Sequence, residues 1–269
     1  MKKLVIMTLV LIIALAAWGS VIVTYATSPH AAAIPRTVPL ATPMPMPTPP
    51  LQSKELPVTP VISAKGDIVY RGNSGLPEVA LTFDDGPSLY YTPQVLSILR
   101  QYGVHATFFT IGENVRLYPE LVQQEYNAGH VIGNHSWDHP DLTRRSGASV
   151  YSELSRTCDI IRQTIGIRPT LFRPPYGAIN AQVAFQAFQL GLTSIVWSVD
   201  TRDWDQPRST ESVIINNVLN EVGNGGIILM HDAGGNRSRT IAALPRIIMA
   251  LQQRGYRLVT IPQLLHDMA

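Results

Sequence analysis

The chain has 269 residues, enough for one sizeable domain with appendages, and its 21 Lys and Arg against 19 Asp and Glu leave a formal charge of +2 that argues against a polyanionic partner. Hydrophobic residues make up 45% and charged residues only 15%, so the apolar excess needs a location. The single cysteine, Cys158, excludes an intramolecular disulfide, a four-cysteine zinc site and a CxxC pair, while the four lysines (Lys2, Lys3, Lys54, Lys65) leave the body of the chain without P-loop or Schiff-base chemistry.

Behind Lys2 and Lys3, Leu4 to Tyr25 is a run of 22 uncharged residues dominated by Leu, Ile, Val and Ala. That is about the length a helix needs to cross a bilayer, and the two lysines predict a cytoplasmic N-terminus. A cleaved secretory signal is the rival reading. Its apolar core would be shorter, and Thr24-Tyr25-Ala26 is a weak cleavage site, so an uncleaved anchor over residues 1–26 is preferred. Either way the remainder is expected outside the cytoplasm, tethered to the cell membrane or secreted if cleavage occurs. Ten of the 21 prolines fall between Pro29 and Pro60, almost without charge. Residues 27–65 therefore read as an extended, semi-rigid linker that lifts a domain of residues 66–269 away from the membrane.

From residue 66 onward short apolar runs alternate with helical stretches. The runs are Val79 to Phe83, Ala106 to Ile111, His130 to Gly133, Thr170 to Phe172, Thr193 to Val199, Ile227 to Met230 and Arg257 to Ile261, each composed like a buried parallel strand. Thr92-Pro93, Asn180, Thr210 and Thr240 supply helix starts, Gly191 and Gly255 supply stops, and Tyr151 to Ile165 reads as a further helix. Such alternation predicts an α/β domain with a parallel sheet. Asp84-Asp85, His135 to His139, Arg173, Asp200 and His231 each follow a strand, where a parallel barrel places its active site. An irregular (β/α) barrel of about seven strands is favoured over an open doubly wound sheet.

His135 and His139 are four residues apart, which predicts two imidazoles on one side of a helical turn. With the carboxylates of Asp84-Asp85 they make a candidate metal site of two His and one Asp, with a position left open for water. Asp84-Asp85-Gly86-Pro87 would pass for a simple turn. Two carboxylates at the end of a buried strand nevertheless need a cation or an arginine to compensate them.

Five segments occur in order: Thr82-Phe83-Asp84-Asp85-Gly86-Pro87, His135-Ser136-Trp137-Asp138-His139, Arg173-Pro174-Pro175-Tyr176-Gly177, Asp200-Thr201-Arg202-Asp203-Trp204 and Leu229-Met230-His231. Together they resemble the polysaccharide deacetylase family (NodB-like domain, carbohydrate esterase family 4), over about residues 77–265. The resemblance implies that Asp85, His135 and His139 bind one divalent ion, zinc by preference, with cobalt or manganese as alternatives. It implies Asp84 as general base paired with Arg173, and His231 as general acid oriented by Asp203, a role Asp200 could share. Tyr176 would supply a backbone N–H to the oxyanion, and Trp204 and Leu229 would wall the acetyl and sugar pocket.

The implied activity is hydrolytic removal of N-acetyl groups from an extracytoplasmic polysaccharide. Peptidoglycan N-acetylglucosamine is the expected substrate, with chitooligosaccharides or acetylated xylan as alternatives. A non-catalytic glycan-binding envelope protein is the reading of a different class; it is disfavoured because every motif residue is present. No nucleic acid or protein partner is implied. His105 and His130 precede strands, on the opposite face, and read as structural; His266 reads as a helix end and Arg144-Arg145 as a solvated loop. Ser88, Ser136 and Ser198 lack a GxSxG turn, Cys158 reads as a buried small hydrophobe, and no HExxH supports a metallopeptidase.

Overall fold

A computed structural model describes residues 68–266. The expected anchor and linker lie outside the described residues, and among those described no helix is long and apolar enough to cross a membrane. In chain order the elements begin β1 (Ile68–Val69), β2 (Glu78–Asp84), α1 (Thr92–Tyr102), β3 (Thr107–Thr110), α2 (Gly112–Leu117), α3 (Pro119–Asn127), β4 (Val131–Asn134) and α4 (Gly147–Ile165). They continue with β5 (Leu171–Phe172), α5 (Ala181–Gln189), β6 (Thr193–Ile195), β7 (Val199–Asp200), α6 (Glu211–Glu221), β8 (Gly226–His231), α7 (Ser238–Gln253), β9 (Arg257–Leu258) and α8 (Ile261–His266).

The strands form one sheet in the order β1-β6-β5-β4-β3-β2-β8-β7, with β9 joining β2 beside that path. The pairings are parallel. Strand β2 is central and all seven of its residues are buried, which is why Val79 to Phe83 reads as an uninterrupted apolar and β-branched run. Its alternation still decides the architecture. Val79, Leu81 and Phe83 face the helices, packing with Val95 and Leu99 of α1 and Leu244 and Ile248 of α7. Ala80 faces the other way, into a cluster with Phe109, Ile195, Ile227 and Leu264. On that same inner face, at the period of two that strands impose, Thr82 and then Asp84 rise above the apolar floor. In register, Asp84 pairs with His231 on β8 and with Phe109 on β3.

Two expectations change. Thr193 to Val199 is not one strand: it divides into β6, beside β5, and β7, beside β8, so the run crosses from one side of the sheet to the other. The sheet path ends at β1 and β7, and among the described residues no pairing joins those two; yet only residues 196–198 separate β6, beside β1, from β7, so the sheet curls into an incompletely closed barrel, with nine short strands among the described residues rather than about seven. Helix starts are mixed. Asn180 and Thr210 cap α5 and α6 as expected, accepting from the N–H of Val183 and Val213. Thr92 instead lies inside α1 and Thr240 inside α7, and both hydroxyls serve buried carboxylates, as described below. Helix α4 starts earlier than expected, capped by Ser146.

Candidate active site

Arg173 is fully buried, which for a guanidinium demands partners on every side. Its Nη1 donates to Thr82 Oγ1 at 2.7 Å and to Asp84 Oδ1 at 2.8 Å, and its Nη2 donates to the Val196 carbonyl at 3.1 Å. The planar head also lies 4.2 Å from the Phe109 ring centroid. Burial pulls this guanidinium below its ordinary pKa, while the Asp84 carboxylate draws it back up. The inner face of β2 thus carries an ion pair directly above an apolar layer, and Asp84 keeps Oδ2 clear of the arginine.

Beside it, Asp85, His135 and His139 bring their ligand atoms within 4.8 Å of one another. Asp85 Oδ1 lies 3.5 Å from His135 Nε2 and 3.3 Å from His139 Nε2, and it is a buried oxygen with no hydrogen-bond donor among the described residues. His135 Nδ1 is 2.8 Å from the Arg173 carbonyl, so in the neutral ring the proton sits on Nδ1 and Nε2 offers its lone pair. Burial, seconded by His135, lowers the His139 pKa and favours its neutral, ligating form. An orphaned carboxylate oxygen facing two imidazole nitrogens is what a divalent ion would complete. The expected helical turn is absent. His135 to His139 is an irregular loop in which Ser136 and His139 have φ of 63° and 62°, and Asp85 has φ of 74°. Left-handed backbone at non-glycine residues is strained, and its recurrence around one cluster marks a functional site.

His231 closes the constellation. Its Nδ1 lies 2.7 Å from Asp203 Oδ1, and its backbone N–H donates to Asp203 Oδ2 at 2.9 Å. Burial alone would lower the imidazole pKa, but the charge and hydrogen bond of Asp203, with Asp84 and Asp85 behind it, push it up to about 9. Burial would raise the Asp203 carboxyl, but His231 outweighs it, helped by Arg237 and by the Thr240 hydroxyl that donates to Oδ2 at 2.8 Å. Of the two carboxylates considered beside this imidazole, one makes the contact. Asp203 holds the imidazole, whereas Asp200 accepts from the Arg202 N–H and the Trp204 indole.

These groups open into one cavity of about 590 Å³, which Tyr176, Trp204 and Leu229 also line. Tyr176 sits in a tight turn with φ of 61°, and its backbone N–H has no protein acceptor among the described residues. Its ring packs edge-on against His139 at 4.6 Å. Trp204 is half exposed and Leu229 is buried.

Sequence reasoning missed Ile111, Asn114, Trp197, Gly234 and Arg237, all of which line the same cavity. Arg237 is buried, with its donors on the carbonyls of Ala233, Asp203 and Gly234, so no complementary charge in the sequence advertises it. Asp232 was missed too. It is a buried carboxyl raised to about 7, chiefly by burial, and it accepts from the Thr92 hydroxyl.

The remaining candidates stand apart. His130 Nδ1 accepts from the Ala106 N–H at 3.1 Å, and its pKa falls to about 4, chiefly through burial. His105 packs edge-on against it. Cys158 is a buried residue of α4 with its thiol raised by burial, and Arg144 and Arg145 are solvated.

Residues 71–195 match the family model described as polysaccharide deacetylase. The chain is 44% identical over 186 residues to the peptidoglycan-N-acetylglucosamine deacetylase PgdA of Listeria monocytogenes, covering 69% of this chain but only 38% of that relative. It is 39% identical over 198 residues to a chitooligosaccharide deacetylase of Azorhizobium caulinodans, covering 68% of this chain and 92% of the relative. Among solved structures, the crystal structure of the Bc1960 peptidoglycan N-acetylglucosamine deacetylase superposes with a TM-score of 0.71 at 39% identity, covering 73% of this chain and 92% of that one. The chain belongs to the polysaccharide deacetylase family.

Proposed function

We propose that the protein is a metal-dependent hydrolase that removes N-acetyl groups from an extracytoplasmic glycan, with the N-acetylglucosamine of peptidoglycan as its substrate. The observation that carries this reading is the convergence of three units on one cavity: the Asp84–Arg173 pair, the Asp85–His135–His139 cluster and the His231–Asp203 pair.

Asp85, His135 and His139 would hold a divalent ion, zinc by preference and cobalt or manganese otherwise, which when bound supplies a Lewis acid that acidifies water and polarises the acetyl carbonyl. Asp84 acts as general base through Oδ2, because Oδ1 is taken by Arg173. His231 acts as general acid. With Nδ1 held by Asp203, it presents its Nε2 proton to the departing amine nitrogen. The Tyr176 N–H donates to the developing oxyanion. Leu229 packs against the acetyl methyl group, and the half-exposed Trp204 indole offers an apolar face to the sugar.

The peptidoglycan assignment is supported by the Listeria relative, and the membrane tether of residues 1–26 would keep the domain within reach of that polymer. The Azorhizobium relative supports chitooligosaccharides as the second substrate class. The test is acetate release by the zinc-loaded full chain on peptidoglycan, chitin oligomers and acetylated xylan side by side. Fastest release from peptidoglycan is expected. Chelation should abolish release and added zinc restore it, and Asp84→Asn should lose roughly 10²- to 10⁴-fold in kcat while retaining metal. Release from none of the three glycans would overturn the reading.

A further inference from the structure

Asp85 must hold a strained backbone while turning its carboxylate toward two imidazoles, so something has to fix the chain on either side of it. Three successive carbonyls of this loop are each held by a donor. The Asp84 carbonyl accepts from the Asp232 N–H at 3.2 Å and the Gly86 carbonyl from the Ile111 N–H at 3.0 Å. The middle one, the Asp85 carbonyl, accepts from Asn114 Nδ2 at 2.7 Å, the shortest of the three and the one supplied by a side chain. Asn114 stands on α2, and the first turn of α2 also grips the histidine loop. The Gly112 and Glu113 N–H groups donate to the Ser136 and Trp137 carbonyls, both at 3.0 Å. One short helix therefore ties the loop of Asp85 to the loop of His135 and His139.

We propose that Asn114 is a positioning residue for Asp85, setting the carboxylate in the orientation in which it shares an ion with His135 and His139. The assignment rests on the metal site proposed above. Without the amide, the Asp85 carbonyl loses its anchor, the left-handed conformation loses its offset, and the carboxylate samples orientations that leave the two imidazoles without their partner. The Asn114 amide donates to the Asp85 carbonyl, so the residue acts on the ion through Asp85.

The experiment measures zinc affinity of the full-length apo-protein by competition with a chromophoric chelator, together with the apo melting temperature. Asn114→Leu keeps the branching of the side chain and removes the donor, Asn114→Ser keeps a donor but shortens its reach, and Asp85→Asn is the control. Both Asn114 variants should bind zinc about 10- to 100-fold more weakly, with the apo melting temperature unchanged. Asp85→Asn losing zinc while both Asn114 variants keep wild-type affinity would overturn the assignment alone. A wild type that binds no zinc, or an Asp85→Asn that binds as well as wild type, would overturn the metal site and the assignment with it. Both Asn114 variants melting as apo-proteins well below wild type would make Asn114 a residue of the fold and overturn its positioning role.

Discussion

His231 is buried, and burial works against a proton on its ring; the buried carboxylate of Asp203 reverses that balance and carries the imidazole pKa to about 9. A general acid, the role proposed for His231, has to be protonated when it acts, and at neutral pH the pair would keep it so. Asp203→Asn retains an acceptor for Nδ1 but removes the charge, and the folded-state pKa must then move down from about 9 as burial reasserts itself. The basic limb of the kcat/KM–pH profile should shift to lower pH by roughly 1–3 units, and kcat at pH 8 should fall with it. The same raised pKa links to stability. The contribution is fully present below the unfolded value of 6.5 and is lost as pH rises through about 9, so wild-type melting temperatures should decline across that window more steeply than those of Asp203→Asn. Coincident basic limbs in the two proteins would remove Asp203 from this role.

Helix α2 is six residues long, too short to persist alone, and it holds its place through what it touches. At Gly112 a Cβ would come within 2.6 Å of the Trp137 ring and 2.7 Å of Thr157 Oγ1, so the helix, the histidine loop and α4 meet with no room for a methyl group. Gly112→Ala should cost about 1–3 kcal/mol by overpacking, read as a lower melting temperature, and should weaken zinc binding because the loop that moves carries both histidines. A variant with wild-type stability and affinity would show that this contact yields freely. The importance of α2 was hidden in the sequence for the same reason. It has no side-chain cap, it buries only Gly112 and Val115, and Asn114 looks like any polar residue of a surface helix. The strands were legible because continuous apolar runs bounded by polar residues have few other uses, and the polar ends pointed at the site. The division of Thr193 to Val199 was not, since no glycine, proline or charge marks where the chain leaves one side of the sheet for the other. Left-handed backbone at Asp85, Ser136, His139 and Tyr176 was equally silent, because tertiary bonds rather than glycines enforce it.

Charge is divided unevenly along the chain. Residues 1–60 carry four basic and one acidic residue, while residues 61–269 carry 17 and 18, so the folded part is nearly neutral and the overall +2 belongs to the leader. A neutral domain suits an uncharged sugar backbone, and a basic, apolar leader suits a membrane with its N-terminus held in the cytoplasm. All the proposed catalytic and metal-binding residues fall between Asp84 and His231, and the described fold that positions them begins at Ile68. Anchoring and catalysis should therefore separate at the Pro-rich stretch. The full chain is expected in the membrane fraction, and a chain lacking residues 1–62 in the soluble fraction. Both should release acetate from soluble chitin oligomers with the same kcat/KM, because diffusion brings a small substrate equally to either. On insoluble cell wall presented with its membrane, only the tethered form gains from effective concentration, and deletion should slow release there. Recovery of the full chain in the soluble fraction would dismiss the anchor. Loss of activity on soluble oligomers after deletion would show that residues 1–62 contribute to the fold or the site.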